Sequence, residues 1–409
     1  MDPSKILAGT KVADFSWLIA GPLTTKYMAD FGMEVVRIES FGRPDAVRYQ
    51  PPFVDGVPGL ERSGAFHNLN TGKKSISLNM EMPEAREIAW QIAITSDVIT
   101  ENFTSHVMRQ WGLDYESVRA ANPGIIYISL SMEGRTGPHK DNRGYGTVLQ
   151  AMAGISHLTG WPDRAPTIPS TAYTDQVTPH IAAFGLLAAL EHRRQTGEGQ
   201  WLDISQMEAM LHALDATILD ALAHGRDAGR VGNRARYQAA APHGNYACAG
   251  EDSWIAIVVH DDADWVKLAS VLRKDGMRWA EREDWATARG RVAAQDELDR
   301  LVEGWTRAHD AQALMKRLQA EGIDAGVVQN QREVAEDPQL NWRGHTQMVD
   351  HPDVGLQGYD GPSFRMNDEA VKLNPAPLLG EHTREVLKER LGYSDTEIDA
   401  LYETGAFTT

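Results

Sequence analysis

The sequence predicts an α/β fold, in which a Rossmann-like, mostly parallel sheet forms a large domain beside a smaller α+β domain. Segments of strand character alternate with helical segments from residue 11 to residue 130. The 409 residues, of which 42% are hydrophobic, can bury more than one core. After residue 225 the alternation gives way to a strand pair followed by amphipathic helices.

The first forty residues predict a βαβ unit, with a strand over residues 11–16, a helix over 23–31 and a strand over 33–38. Pro22 suits the first turn of this helix, because its missing N–H would be unpaired there in any residue. Gly21 allows a backbone or a ligand to approach closely. The chain therefore predicts a tight turn where the first strand meets its helix.

The same alternation continues along the large domain. The further predicted elements are helix 83–95, strand 97–101, helix 115–121, strand 124–130, helix 181–190, strand 201–205 and helix 207–222. Helix 181–190 is apolar on all sides, which is typical of a helix that is buried on most sides. We expect it to lie deep in the protein.

The predicted domain boundaries follow from this pattern. Residues 1–224 form the large domain, which holds the active site, and the polar segment 225–236 begins a linker. The smaller domain, 225–330, contains the strand pair 244–249 and 253–259 with helices 263–272 and 311–320. Residues 331–409 return to the large domain and include a helix over 383–391.

Composition excludes several classes of protein. A net charge of −17 without a cationic block argues against nucleic acid as a partner. One cysteine, Cys248, cannot form an internal disulfide, and no signal peptide is recognisable. A membrane span needs about 18 consecutive apolar residues, and no apolar run in the sequence is that long. We expect a cytoplasmic protein that does not contact membranes.

Motifs for other chemistries are incomplete. The segment Gly72-Lys73-Lys74-Ser75 lacks the upstream glycine of a phosphate-binding P-loop, and no Gly-x-Ser-x-Gly is present. The 14 histidines form no His-Glu-x-x-His or similar ligand set, so we expect no metal.

Asp175 precedes the apolar helix and is the most informative acidic residue. By position alone it is most simply an N-cap, whose side chain accepts a hydrogen bond from a free backbone N–H. A helix N-terminus also stabilises negative charge, so the same position suits a catalytic carboxylate. The two interpretations are compatible.

An ordered set of short motifs runs through nearly the whole chain. It comprises Leu7 to Ser16, Ala20-Gly21-Pro22, Phe31 to Glu39, Asn70 to Ile76, Glu101-Asn102-Phe103, Gly144-Tyr145, Asp175, Thr196 to Gln200, and Ala376 to Thr383. In this order and spacing they resemble the class III coenzyme A (CoA) transferase family, which includes formyl-CoA, carnitine and benzylsuccinate CoA transferases.

The resemblance implies a reaction. Asp175 attacks an acyl-CoA thioester to give a mixed anhydride, CoA thiolate converts this to an aspartyl thioester, and a carboxylic acid takes over the CoA. Covalent catalysis of this kind divides one difficult exchange into easier steps. The motif Gly160-Trp161-Pro162-Asp163 before Asp175 is most similar to members that act on aryl-substituted or branched dicarboxylates such as benzylsuccinate, with succinyl-CoA as donor.

The resemblance also implies which residues line the site. The expected substrate-binding residues are Trp17, Ile19, Arg143 and Tyr145. The expected CoA-binding residues are Ala20, Ser40, Leu78, Asn102, Phe103 and Arg109. Without the resemblance, Arg143 is equally well a solvated loop arginine, Asn102 a turn residue at a strand end, and the apolar positions ordinary core.

Two positions depart from the family pattern. Ser40 stands where a phosphate-binding cation is common, and Gln110 replaces a helical arginine, with Arg109 one residue earlier. Two explanations are open: another cation compensates, or the nucleotide binds in a different position. The candidate cations are Arg37, Arg43, Arg48, Lys73 and Lys74.

Two alternatives within the superfamily remain. A racemase would need a histidine near Gly144-Tyr145 as a second acid/base group, and residues 141–146 contain none. A silent subunit of a heteromeric transferase would be expected to lack Asp175. The resemblance further implies an interlocked dimer, closed by linkers near Gly225 and Asn330, with an identical or a related partner subunit.

Overall fold

The computed structural model describes residues 2–407, which form two compact units. The first unit comprises the chain up to Ser156, Ile168–Arg226, and the chain from Gln339 onward. The second comprises His157–Thr167 and Asp227–Pro338. Residues 157–167, which the sequence analysis places in the large domain, therefore group with the second unit.

The first unit is built on a six-stranded parallel sheet with strand order β3-β2-β1-β4-β5-β6. Its strands are β1 Lys11–Asp14, β2 Glu34–Glu39, β3 Lys74–Ser77, β4 Val98–Glu101, β5 Ile126–Ser131 and β6 Trp201–Ser205. This is the order of a doubly wound Rossmann sheet. The predicted α/β class with a parallel sheet is confirmed.

Helices connect these strands. They are α1 Ala20–Asp30, α2 Gly64–Leu69, α3 Pro83–Ile94, α4 Val107–Gln110, α5 Tyr115–Ala121, α6 Gly146–Met152, α7 Ile155–Leu158, α8 Tyr173–Thr196, α9 Gln206–Leu211 and α10 Asp215–His224. The helix predicted over 207–222 is wrong in one respect, because α9 and α10 are separate helices. Leu214 flanks the second of them without a side-chain cap.

Both faces of the sheet are buried. Adjacent residues of β1 contribute to opposite cores: Val12 packs with Met28 of α1 and Leu186 of α8, whereas Ala13 packs with Ile88 of α3. Successive side chains of a strand point to opposite faces, so this division follows from the pleat of the strand. The apolar runs of the strands are thereby explained, since both of their faces need apolar partners.

The second unit contains an antiparallel sheet of order β7-β8-β9 covered by helices. Its elements are β7 His243–Ala247, β8 Trp254–Val258, α11 Asp262–Lys274, α12 Ala288–Ala293, α13 Gln295–Thr306, α14 Ala311–Ala320, β9 Asp324–Val327 and α15 Gln331–Ala335. One hydrophobic core, which includes Trp265, Trp285 and Trp305, joins the sheet to α11, α13 and α14. The predicted α+β class of the smaller domain is confirmed.

The C-terminal part of the chain adds a hairpin and three helices. These are α16 Pro338–Arg343, β10 Thr346–His351, β11 Gly355–Asp360, α17 Thr383–Leu391 and α18 Asp395–Thr404. Val386 and Leu387 of α17 and Phe407 belong to the same core as α3. The C-terminal residues therefore complete the first unit.

Helix α8 differs from expectation. It runs for 24 residues, and although Ala182, Leu186 and Ala189 are buried, Phe184 is 75% exposed and Leu187 is 50% exposed. The prediction of a deeply buried helix is wrong for a single chain, because only one side of α8 packs on the sheet. Its other side presents apolar surface.

Two features are absent from residues 2–407. No helix combines the length and apolar character that a membrane crossing requires. Within the same residues, no three His, Cys, Asp or Glu side chains are grouped closely enough to hold a metal ion.

Candidate active site

The strand order locates the site. Strands β1 and β4 are neighbours, but the chain leaves them toward opposite edges of the sheet. In open α/β sheets a ligand binds outside the carboxyl ends of the strands at such a switch point. Residues 17–20 after β1 and residues 102–104 after β4 line the cavities found there.

The turn after β1 is held by side chains from other elements. The Trp17 N–H donates to Asn102 Oδ1 at 2.8 Å, and Asn102 Nδ2 donates to the Trp17 carbonyl at 2.7 Å. Leu18 has a φ of 66°, a backbone conformation that is unfavourable for any residue other than glycine. Its N–H donates to Asp45 Oδ2 at 3.0 Å, so the strained backbone is stabilised by a buried carboxylate.

Asp175 enters the same region from α8. The residue that precedes the helix is Ala172, which provides no side-chain cap, and the Asp175 N–H donates to the Ala172 carbonyl at 3.0 Å. The N-cap interpretation is therefore wrong: Asp175 is the third helical residue. It nevertheless lies in the first turn, where the helix dipole favours a carboxylate.

Burial dominates the chemistry of this carboxylate. Removal from water raises the pKa of Asp175 from 3.8 to about 6, and no charged neighbour contributes to the shift. At neutral pH the group is still mostly ionised, yet it is more basic than an ordinary aspartate. A more basic carboxylate is a better nucleophile.

The Asp175 carboxylate packs against Gly146, the first residue of α6. A Cβ atom at Gly146 would lie 2.6 Å from Asp175 Oδ2 and 2.7 Å from the Ala172 Cβ. Both distances are below van der Waals contact, so only glycine leaves room for the carboxylate in this position. This role of Gly146 is not apparent from the sequence, because Gly146 follows Gly144-Tyr145 without a recognisable turn motif of its own.

A cavity of about 620 Å³ surrounds Asp175. It brings together six residues expected from the sequence, which are Ile19, Ala20, Asn102, Phe103, Arg143 and Tyr145. Its lining also includes residues that sequence analysis missed, namely Gln50, Arg135, Lys140, Gly146 and Gln206. No periodicity or motif marks these positions, and tertiary structure alone assembles them.

Positive charge predominates in this cavity. Arg135 is paired through Nη2 with the buried carboxylate of Glu101, at 2.6 Å to each oxygen. Lys140 and Arg143 are exposed, and among residues 2–407 neither has an ion-pair partner. Two cations are therefore available to an anionic ligand in the cavity that Asp175 also lines.

A second cavity, of about 1040 Å³, continues from the first. The two share the lining residues Leu18, Asn102, Phe103, Thr104, Arg143 and Tyr145. Trp17, Ser40 and Leu78 line this second cavity and do not line the first. Arg109 is exposed and lines neither.

Comparison with known proteins identifies the family. The family model described as CoA-transferase family III matches residues 7–383. The chain belongs to CoA-transferase family III. Members of this family exchange CoA between acids, so the chain is a CoA-transferase, and acyl-CoA and a free acid are its substrates.

Curated relatives of this family III chain resemble it over nearly their whole length. The succinyl-CoA–D-citramalate CoA-transferase of Chloroflexus aurantiacus is 30% identical over 98% of this chain and 97% of its own. The succinate–glutarate CoA-transferase of Agrobacterium fabrum is 30% identical over 94% of this chain and 95% of its own.

Solved structures agree with the fold. A CAIB/BAIF family protein from Brucella suis is 31% identical, covers 94% of this chain and 99% of its own, and superposes with a TM-score of 0.85. The parallel sheet is therefore that of the class III CoA transferase fold.

We predict that Gly146→Ala lowers the rate of CoA transfer by about a hundredfold, because the added methyl group displaces the Asp175 carboxylate from its position. Initial rates of thioester exchange and a thermal melt measure activity and folding separately. Gly185→Ala in α8 is the matched control, since its Cβ would meet only Leu202 Cδ1, at an ordinary 3.6 Å. Equal activity of the two variants would contradict the prediction.

Proposed function

We propose that Asp175 is the nucleophile through which this CoA-transferase moves CoA from an acyl-CoA donor to a carboxylic acid. The observation that carries the proposal is a half-buried carboxylate of raised pKa in a cavity that also holds two unpaired cations. A nucleophile needs such an environment, because water would otherwise stabilise its charge and compete for the acyl group.

The chemistry balances in four steps. An Asp175 oxygen attacks the thioester carbonyl, the C–S bond breaks, and CoA thiolate leaves a mixed anhydride behind. The thiolate attacks the Asp175 carbonyl carbon, which releases the donor acid and gives an aspartyl thioester. The acceptor carboxylate then displaces thiolate from Asp175. Attack of the thiolate on the acceptor acyl carbon releases the new acyl-CoA and regenerates the Asp175 carboxylate.

Asp175→Asn is expected to abolish transfer and leave the fold intact, since an amide has the same shape but does not attack a thioester. The measurement is exchange of CoA between succinyl-CoA and an isotopically labelled acid, with hydroxylamine trapping of acyl-Asp175 followed by mass spectrometry. Asp163→Asn, at an exposed residue, is the control. Trapped label at another residue, or normal turnover by Asp175→Asn, would refute the role of Asp175.

The raised pKa of Asp175 predicts a pH dependence. The carboxylate form reacts, so kcat/KM rises with pH until the group is ionised, with an apparent pKa of about 6. Below that pH the rate falls by about tenfold per unit, whereas an aspartate of ordinary pKa would stay active to about pH 4. A pH–rate profile that is flat between about pH 5 and about pH 8 would contradict this prediction.

We propose dicarboxylic acids as the substrates, with succinyl-CoA as donor and an aryl-substituted or branched dicarboxylate such as benzylsuccinate as acceptor. The named substrates of the two relatives, succinate with citramalate or glutarate, are dicarboxylic acids. One carboxylate of such an acid would react while the other meets Lys140 or Arg143. Ile19, Leu130 and Leu149 line the same cavity and suit a hydrocarbon part.

Loss of either cation should weaken binding of dicarboxylates selectively. We expect Arg143→Gln and Lys140→Gln each to raise the KM for a dicarboxylate acceptor by about tenfold, the effect of one charge-assisted hydrogen bond. A monocarboxylate of equal length should be affected much less. Lys316→Gln, an exposed lysine of α14, serves as control. An equal rise in KM for both acids would show that these cations do not bind the second carboxylate.

The racemase alternative has less support. Abstraction and return of a proton on two faces of a carbon need two acid/base groups. Of the described residues that line the Asp175 cavity, none is a histidine. The presence of Asp175 likewise argues against a silent subunit.

We also propose that the chain forms an interlocked dimer in the cytoplasm, with an identical or a related partner. The exposed apolar side of α8 supports a partner chain: Ile181, Phe184 and Leu187 are 40%, 75% and 50% exposed. A groove of about 780 Å³ is lined by Phe184 and Leu187 together with Phe31 and Phe364. Apolar surface of this extent is typical of a protein interface.

Light scattering should therefore give a mass of twice 45.2 kDa for the purified chain. Phe184→Asp should shift the equilibrium toward monomer, because a buried charge without a partner is unfavourable in an interface. Val266→Asp is the control, since Val266 is 63% exposed and does not line the groove. A monomeric mass for the unmodified chain, measured with and without a related subunit, would contradict the proposal.

A further inference from the structure

The sequence leaves open which cation meets the CoA phosphates, because Ser40 replaces one expected cation and Arg109 lines neither cavity. Five other cations are the candidates expected from the sequence. They are Arg37, Arg43, Arg48, Lys73 and Lys74. Burial and existing ion pairs distinguish them.

Two of the arginines are inaccessible. Arg37 and Arg48 are both 0% exposed. Arg37 is paired with Glu39 at 3.0 Å and with Asp45, and Arg48 is paired with Glu39 at 2.7 Å and with Glu61. Their guanidinium groups could reach a ligand only if buried carboxylates lost their partners, which would be costly.

The two lysines already have ion-pair partners as well. Lys73 Nζ lies 3.3 Å from Asp14 and donates to Asn70 Oδ1 at 2.8 Å, and its side chain is buried. Lys74 Nζ is 2.7 Å from Glu385 Oε1. Neither residue lines the second cavity.

Arg43 differs from all four. It lies four residues after the end of β2, is exposed, and lines the second cavity together with Ser40 and Pro44. No acidic side chain of the described chain pairs with it. Its guanidinium carbon lies 5.6 Å from the centre of the Trp17 ring, a contact that holds the group over the cavity.

The acids of the cavity do not cancel this charge. Glu39 lines it, but Arg37 and Arg48 already neutralise its carboxylate. Glu81 also lines it and is exposed, whereas His106 and Arg143 add potential or permanent positive charge. The cavity thus offers an arginine whose planar fork matches a phosphate group.

We infer that Arg43 binds a phosphate group of the CoA nucleotide and so takes the place of the cation missing at Ser40. This inference rests on the proposed function, in which the thioester end of CoA reaches Asp175 through the first cavity. The nucleotide then lies in the second cavity, and binding energy from this remote end helps to position the reacting thioester.

The test compares Arg43→Gln with the unmodified enzyme on three donors: a CoA thioester, the corresponding dephospho-CoA thioester, and the corresponding pantetheine thioester. We expect kcat/KM to fall by about tenfold or more with the CoA thioester and to be unchanged with the pantetheine thioester. Persistence of the loss with dephospho-CoA assigns the contact to the pyrophosphate, and its disappearance assigns it to the 3′-phosphate. Arg300→Gln, an exposed arginine of α13, is the control.

Charge and packing are separated by two more variants. Arg43→Lys, and Ser40→Arg combined with Arg43→Gln, each return a cation to the cavity and should recover part of the loss. Recovery by neither would mean that Arg43 acts through its contact with Trp17, which would overturn the inference. An equal loss of kcat/KM on the pantetheine thioester would overturn it as well. So would a normal kcat/KM of Arg43→Gln together with a reduced kcat/KM of Arg109→Gln.

Calorimetric titration with free CoA makes the two proposals distinguishable. If the unmodified enzyme binds CoA but transfers it to no acid, the proposed substrates or nucleophile fail. Weaker binding of CoA by Arg43→Gln would still support the phosphate contact in that case, and unchanged binding would overturn it.

Discussion

The buried guanidinium of Arg37 is the interaction on which the site depends. From β2 it donates to Glu39 at 3.0 Å, to the Ser16 carbonyl at 2.9 Å, and to Asp45, so it connects the ends of β1 and β2 with the following loop. Burial alone would raise the pKa of Glu39, yet Arg37 and Arg48 lower it to about 2. Glu39 therefore stays ionised beside its two arginines. Breaking such a pair costs about 3–5 kcal/mol, because it leaves an isolated buried charge.

This network sets the backbone of the active site. Asp45, oriented by Arg37, accepts the N–H of Leu18, and Asn102 holds the Trp17 peptide from the other side. The turn after β1 is thus rigid before any ligand arrives. This rigid turn lies at the switch point of the sheet. The two cavities meet there and share several lining residues. Preorganisation of this kind reduces the entropy lost when substrate binds.

Asp175 combines two opposing requirements. Its carboxylate must be shielded from water to react, but shielding raises its pKa and favours the neutral form. The value of about 6 is a compromise, in which most molecules carry the charge at neutral pH. The unpaired Lys140 and Arg143 face the same cavity and attract anionic substrates without forming a described ion pair with Asp175.

The parallel sheet, most helix limits and the family were predictable from the amino-acid sequence. Periodic apolar runs indicate local conformation, which depends on residues that are neighbours in the chain. Gly21 does the same, because a Cβ added at this position would lie 2.2 Å from the Ser16 Cβ. Three features needed the folded chain: Asp175 is not an N-cap, α8 exposes Phe184, and Arg43, unlike the other four cations, is unpaired and lines the second cavity. Burial and ion pairing depend on residues distant in the chain, which no local pattern encodes.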